Sequence, residues 1–346
     1  MAILKLDFIF FVYMVLKIVY IFIIAWKIEV LCNFCNLKIT TLEVSMISAI
    51  VDMGSNTIKL CVYEYSKNCV KILLERKTMA GLANFVKNEK LSNKGVERVC
   101  EILKEYQDIL NIFHIEENDI YIFATAPLRN ITNTSEVVAN IKKCTGYDVE
   151  VLSGEEEATL DFIGATKFIY NETGVLVDIG GGSTEIVVFC NKSIKQAISM
   201  PIGSLNLYVK YVKEIIPKEE ERELIYKIVL DHLKASGLKQ ENYETICGVG
   251  GTIKAAAKLN NSIFNLPSNN INLETGHITE LLNLIKNSRK HTLTPILQNI
   301  PDRIHTIVPG LLILDTIAEY FNSEEIIVSK YGIREGYLYE KVMKGE

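Results

Sequence analysis

The 346-residue sequence has no basic tract, no low-complexity linker, no short-period repeat, and no second cysteine pair to accompany Cys32 and Cys35. Each absence removes a class of protein. A chain of net charge -5 without clustered Lys and Arg lacks the electrostatic footprint that nucleic-acid phosphates require. Zinc held structurally needs four ligands, so a lone C-x-x-C without a partner pair or a His pair at ligand spacing does not make such a site. The other six cysteines are scattered singly, mostly in apolar runs such as Ile246-Cys247 and Val99-Cys100, which suits buried thiols in a reducing cytoplasm. With 20 Gly and 8 Cys the chain is neither collagen-like nor a disulfide scaffold. At 49% hydrophobic and 23% charged residues it can bury enough apolar surface to offset ordering entropy, so it is not a disordered chain. No Ser or Cys is paired with a His in a recognisable nucleophile motif.

What is present is unevenly spread. Residues 1–45 hold 33 apolar residues and carry net charge +1, whereas the remaining 301 residues are about 45% apolar, an ordinary globular composition. Phe8 to Trp26 is a run of 19 residues whose only charge is Lys17, matching the roughly 20 residues of a membrane span. A central Lys costs roughly 2.5–3.5 kcal/mol on insertion scales. Three readings stand: a membrane anchor, an uncleaved signal-like segment, or a stretch outside the working protein, with translation starting at Met46. No small-residue cleavage site follows Trp26, which disfavours a processed signal peptide. The first strand of the remaining chain starts directly after Met46, and this adds weight to the third reading.

From there strands alternate with helices, the pattern of an α/β architecture. Strands are expected at Ile47–Val51, Ile58–Tyr65, Ile120–Ala124, Val149–Leu152, Gly174–Val177, Glu185–Cys190, Ser193–Met200, Thr245–Val249 and Ile326–Ser329. Helices are expected at Leu91–Ile112, Glu155–Ile169, from Ser204, at Lys218–Ser236, Ile253–Leu259, Ile307–Tyr320 and Arg334–Val342. Pro309 should start the helix proper of its stretch, with its ring in the first turn. The charged helix at 218–236 reads as a solvated face.

One long-range echo stands out. A strand ending in Asp, a Gly-rich hydroxyl turn and a second strand occur twice, as Asp52-Met-Gly54-Ser55-Asn56-Thr57 and as Asp178-Ile-Gly180-Gly181-Gly182-Ser183-Thr184. Gly lets the backbone approach a ligand closely, and successive N–H groups in such a turn suit phosphate oxygens. The preceding Asp would repel phosphate, but it can hold a divalent cation or a cation-bound water. Either turn alone is weak evidence; two at matching positions, with Gly250-Gly251-Thr252 as a third glycine loop, are much more specific.

The segments AIVDMGSNTIKL, ATAPLRN, LSGEEEA, VLVDIGGGSTEIVV, MPIGSLNL, ICGVGGTIKAAAK and VSKYGIREGYL, which span residues 49 to 338 in order, resemble the exopolyphosphatase / guanosine pentaphosphate phosphatase family. That family is a branch of the actin, sugar-kinase and chaperone-ATPase superfamily. The resemblance implies two ribonuclease-H-like domains, each with a mixed five-stranded sheet, and an active-site cleft between them. On this reading residues 46–160 form the first domain, with a C-terminal helix at 333–346 packing back on it, and 161–332 form the second. The chain is similar to the short, two-domain members.

The resemblance further implies the site. Phosphoanhydride hydrolysis needs a positioned water, a base and countercharge, and the family places the base at Glu157; Glu155 and Glu156 complement the helix dipole. Asp178 and Glu185, with Asp52 as the symmetric partner, would hold Mg²⁺ or another divalent cation. Gly54, Ser55, Asn56, Gly181, Gly182, Ser183 and Thr184 would cradle phosphates. Arg129 would bind phosphate through its fork, and Arg303 is a second candidate despite Asp302 beside it. His305 reads as a packing residue, and the Gly250 loop as one that closes the cleft. The leading expectation is a cytoplasmic exopolyphosphatase. Competing readings are a guanosine pentaphosphate phosphohydrolase, an ATP-dependent kinase or actin-like ATPase, against which SGEEEA argues, and a non-catalytic polyphosphate or alarmone sensor. Dimer formation is expected from the short family members alone, and membrane association only if residues 8–26 are an anchor.

Overall fold

The computed structural model describes residues 45–344 except 68, 167–171 and 288. The apolar segment 8–26, Cys32 and Cys35, and the end of the helix expected through Ile169 lie outside these residues. Among the described residues no helix is long and apolar enough to cross a membrane. Ile47–Glu64 and Lys71–Glu346 make one compact unit. The tip Tyr65–Val70 belongs to a separate one, where the Ser66 N–H donates to the Cys69 carbonyl at 2.8 Å.

The first sheet is built from β1 (Met46–Met53), β2 (Thr57–Tyr65), β3 (Val70–Met79), β6 (Ile120–Ala124) and β7 (Glu150–Val151), in the order β3-β2-β1-β6-β7; β4 (Val86–Lys87) and β5 (Lys90–Leu91) pair separately. Between β1 and β2 lie only three residues, so those strands turn back on each other. From β1 to β6 and from β6 to β7 the pairing is parallel, with Ala49 opposite Ile120 and Phe123 opposite Glu150. Parallel neighbours need crossovers, and the helices Asn93–Ile112 and Thr134–Thr145 supply them. The first shows the expected periodicity: Val99, Ile102 and Leu103 are buried with Val51, Leu60 and Ile122 of the sheet.

The second sheet repeats the plan with β8 (Gly174–Ile179), β9 (Thr184–Cys190), β10 (Ser193–Met200), β11 (Thr245–Val249), β12 (Asn272–Glu274) and β13 (Glu325–Val328), in the order β10-β9-β8-β11-β13-β12. Strands β8, β9 and β10 are antiparallel neighbours, while β11 runs parallel to both β8 and β13. A sixth strand joins the five that the resemblance implies. After the helix Gly250–Ile263 the chain returns along the open edge of β13, and Leu273, fully buried, anchors it opposite Ile326. Asp52 and Asp178 are each the last residue but one of the central strand that opens their sheet.

The helix Gly154–Thr166 follows β7 and buries Ala158, Phe162 and Ala165 against Leu176, Val187 and Phe189 of the second sheet. The last helix, Ile333–Tyr337, continues into a wider π turn at Leu338–Val342. Its Tyr337 ring stacks on Phe123 at 4.9 Å, and its hydroxyl donates to Glu150 Oε2 at 2.6 Å. The helix Ile307–Tyr320 begins two residues before Pro309, which still falls in the first turn where no backbone donor is lost.

Candidate active site

Both echoed turns close in the same way. The Gly54 N–H donates to the Thr57 carbonyl at 3.0 Å, and the Gly180 N–H to the Ser183 carbonyl at 3.0 Å. The carbonyls of the second turn are drawn to the start of the helix Ser204–Tyr211. Gly180 O accepts from Ser204 N–H at 2.9 Å, Gly181 O from Leu205 N–H at 3.0 Å, and Gly182 O from Asn206 Nδ2 at 2.8 Å. In a trans peptide N–H points opposite to C=O. The amides of Gly181, Gly182 and Ser183 therefore face away from that helix. In the first turn the Ser55 and Asn56 carbonyls accept from Ala83 N–H and from the Ala80 and Gly81 N–H groups, which turns the Asn56 and Thr57 amides the other way. The two turns abut: a Cβ on Gly182 would lie 2.5 Å from Ser55 Oγ and 3.2 Å from the Ala126 Cβ. Only glycine allows that approach.

These turns line a cleft of about 380 Å³. Glu157 lines it too, on the first turn of its helix, and is 8% exposed. Burial raises its carboxyl to about 7, with Asp178 and Asp52 adding to the rise and the Arg129 guanidinium opposing it. Arg129 Nη1 donates to Glu157 Oε2 at 2.6 Å and to the Leu152 carbonyl at 3.2 Å. Its Nη2 reaches the Ser183 and Ser199 hydroxyls, both at 3.4 Å, and stands 3.6 Å from Glu185 Oε1. The sequence reading gave this fork to phosphate. In the structure it is occupied by Glu157 and Glu185, because the short helix Ala126–Arg129 ends facing the start of the Glu157 helix.

The remaining site residues divide. Gly54, Ser55, Asn56, Gly181, Gly182, Ser183, Asp52, Asp178 and Arg303 all line the cleft. Thr184 does not belong with them: it is fully buried in β9, and its hydroxyl donates to the Ile202 carbonyl at 2.7 Å. Glu185 pairs with Asp178 across β8 and β9 but is fully buried, with Oε1 accepting from Ser199 Oγ at 2.7 Å. Asp52 stands 3.6 Å from Lys59 Nζ. Arg303 Nη1 donates to Thr252 Oγ1 at 3.3 Å, and the guanidinium lies over Gly251, where a Cβ would meet Nη2 at 2.2 Å. His305 is exposed with its ring 5.0 Å from Tyr208.

Sequence reasoning missed several lining residues. Lys59, Lys254, Lys258 and Arg334 sit inside motifs already recognised, and bring positive charge to the cleft. Lys254 is held below the usual lysine range by burial and by the neighbouring charges of Arg334 and Lys59. Asp161, one helical turn after Glu157, was also missed, although i to i+4 spacing from an expected catalytic residue was a readable signal.

The donor set suits a hard divalent cation. Asp178 is raised by burial despite Lys59, and Glu185 is raised strongly by burial and by the charges of Glu157 and Asp178. Glu185 Oε2 and both carboxylate oxygens of Asp161 are buried without a hydrogen-bond partner. Among the described residues no three acidic, His or Cys side chains form a ready-made cage. Mg²⁺ commonly takes one or two carboxylates and completes its shell with water and phosphate oxygens, so this set fits that ion.

Paired mixed sheets with matching turns and a buried acid between them define an α/β protein whose cleft is walled by the two turns. Within that class the chain belongs to the Ppx/GppA phosphatase family, whose model matches residues 61–345. The match starts just past the first turn. A bifunctional 3-dehydroquinate synthase/phosphatase of Fusobacterium nucleatum is 29% identical over 303 residues; the alignment covers 83% of this chain and 45% of that protein. A provisionally named exopolyphosphatase of Haemophilus influenzae is 24% identical over 296 residues, covering 84% of this chain and 90% of that one. A solved Ppx/GppA family member from Aquifex aeolicus superposes with a TM-score of 0.73 at 28% identity, covering 88% of this chain and 99% of that chain.

Proposed function

We propose that the protein hydrolyses the terminal phosphoanhydride of inorganic polyphosphate and releases orthophosphate. The carrying observation is Glu157, a carboxyl raised to about 7 at the wall of a cleft whose paired turns present backbone amides. A base near the working pH can take a proton from water, yet is still substantially ionised. Water attacks the terminal phosphorus, the bridging P–O bond breaks, and the proton passes to Glu157 Oε while the shortened chain leaves as an anion. Arg129 holds Glu157 in place and favours its ionised form. The turns around Ser55 and Gly181 bind the non-bridging oxygens, and Lys59, Lys254 and Arg303 balance charge along the chain. Mg²⁺, when held by Asp178 with Glu185 behind it, would neutralise phosphate charge.

Polyphosphate is favoured over guanosine pentaphosphate because none of the described lining residues is aromatic, so no ring is placed for a guanine to stack upon. One preparation assayed for phosphate release from long-chain polyphosphate, guanosine pentaphosphate and ATP tests this. Polyphosphate should turn over fastest. Faster pentaphosphate turnover reverses the substrate, ATP turnover alone supports the kinase-like reading, and binding without turnover supports a sensor.

A further inference from the structure

Asp161 is fully buried, and both of its carboxylate oxygens lack a hydrogen-bond partner. Nothing in the reaction above uses it. It lies one turn after Glu157 on the helix Gly154–Thr166, among Ala158, Phe162 and Ala165, which pack apolar against the second sheet. An aliphatic side chain would suit such a position, so the carboxylate is not there for packing. Like Asp178, it lines the cleft. Each of the two faces a glycine: a Cβ on Gly332 would stand 3.1 Å from Asp161 Oδ1, and one on Gly250, whose φ is +81°, would stand 1.9 Å from Asp178 Oδ1. Both carboxylates therefore lie close against glycine backbone, with no side chain from those positions between. The charges acting most strongly on Asp161 are those of Asp178, Glu157, Glu185 and Asp52, all negative. A buried carboxyl among acids, with no donor of its own, either keeps its proton or is balanced by positive charge.

We propose that Asp161 is a further cation-holding carboxylate of the cleft, acting with Asp178 on a divalent ion. This rests on the reading that the cleft takes such an ion. With only two protein carboxylates, the rest of the shell is water and substrate oxygen, as suits Mg²⁺ or Mn²⁺. It also explains why the second half of the molecule tolerates so many buried acids beside a base that must ionise.

The test is Mn²⁺ binding to the full-length, substrate-free protein, read by electron paramagnetic resonance of the free ion, for the unaltered chain, Asp161→Asn and Asp178→Asn. Thermal unfolding with and without Mn²⁺ accompanies it. Asp161→Asn should weaken Mn²⁺ at least tenfold and abolish most of the Mn²⁺-induced rise in Tm, while its Tm without the ion stays equal or rises. Asp161→Ser serves if the Asn variant does not fold. Unchanged Mn²⁺ affinity in Asp161→Asn, alongside loss in Asp178→Asn, overturns this inference alone, and shows Asp161 to be a buried protonated acid. Absence of Mn²⁺ binding in the unaltered protein overturns both this inference and the cation reading beneath it.

Discussion

The two echoed turns have the same backbone closure but opposite electrostatics. Asp52 in the first has a cation on the adjacent strand, Lys59, at 3.6 Å. Asp178 in the second stands opposite the fully buried Glu185, near Asp161 and Glu157, in a group whose members burial pushes up. A repeated fold has thus been divided by charge. The first half is balanced in isolation and suits holding phosphate. The second is acid-rich: burial raises its carboxyls although Arg129 acts on Glu157, and Lys59, Lys254 and Arg303 act on Asp178. Substitutions that treat the halves alike can therefore show whether the division is real.

The largest effect is expected at Glu157, where the halves meet. Glu157→Gln should lower kcat by about 10²- to 10⁴-fold, the usual range for losing a general base; full retained activity would end the proposed mechanism. In the unaltered protein kcat/KM should rise with pH through about 7, because the ionised carboxylate is the active form. Arg129→Lys, which weakens the fork that favours ionisation, should move that limb upward. A limb near 4.5 would mean that the carboxyl is not raised in solution.

Next comes the direct comparison of Asp178→Asn with Asp52→Asn. The first should raise the divalent-ion concentration needed for half-maximal activity by about 10- to 100-fold, and the second by less than about tenfold. Equal effects would break the asymmetry and restore the symmetric ligand set expected from the sequence.

A smaller effect separates the two glycines. Gly182→Ala drives a methyl into Ser55 Oγ and the Ala126 Cβ, and should cost about 1–3 kcal/mol in urea unfolding. In Gly54→Ala the nearest atom is the Thr57 carbonyl oxygen at 3.2 Å, and the cost should stay below about 1 kcal/mol. If Gly54→Ala proves the worse, the tight approach of the turns is not where the structure places it.

Much of this was legible in the residues. The apolar runs gave β1, β2, β6, β9 and β11 nearly to their ends, since buried strands leave an unmixed signal. The glycine-hydroxyl turns gave the cleft floor. Strand β3 was not legible because Val70–Met79 lacks alternation: Ile72-Leu73-Leu74 runs into the consecutive charges Glu75-Arg76-Lys77 on a half-exposed edge. The helices Thr134–Thr145 and Arg289–Asn299 open on polar residues, and the second contains Pro295, which normally ends a helix. Within the site, sequence showed which residues mattered but not what they touch. Thr184 follows Ser183 in the motif, yet strand alternation turns it into the core. Sequence assigns Arg129 to phosphate alone because it shows no pairing between positions 28 apart.

The smallest expected effect tests whether the halves are also joined at the cleft mouth. Lys77 of β3 donates to Asp302 Oδ2 at 2.6 Å, linking the first sheet to the turn Pro301–Arg303. Burial alone would raise the Asp302 carboxyl, but the Lys77 bond and charge outweigh it and hold it below the usual carboxylate range. A lowered folded value means that the contribution is fully present at neutral pH, and fades only as pH falls through that value. With the two side chains 39% and 43% exposed, solvent screens the pair. A double-mutant cycle on Lys77→Met and Asp302→Asn at pH 7 should give a coupling below about 1 kcal/mol, vanishing at high salt. Coupling above about 2 kcal/mol that survives high salt would make the mouth a structural clamp. It would also mean that the halves depend on each other at their rim, and not only at the buried acids between them.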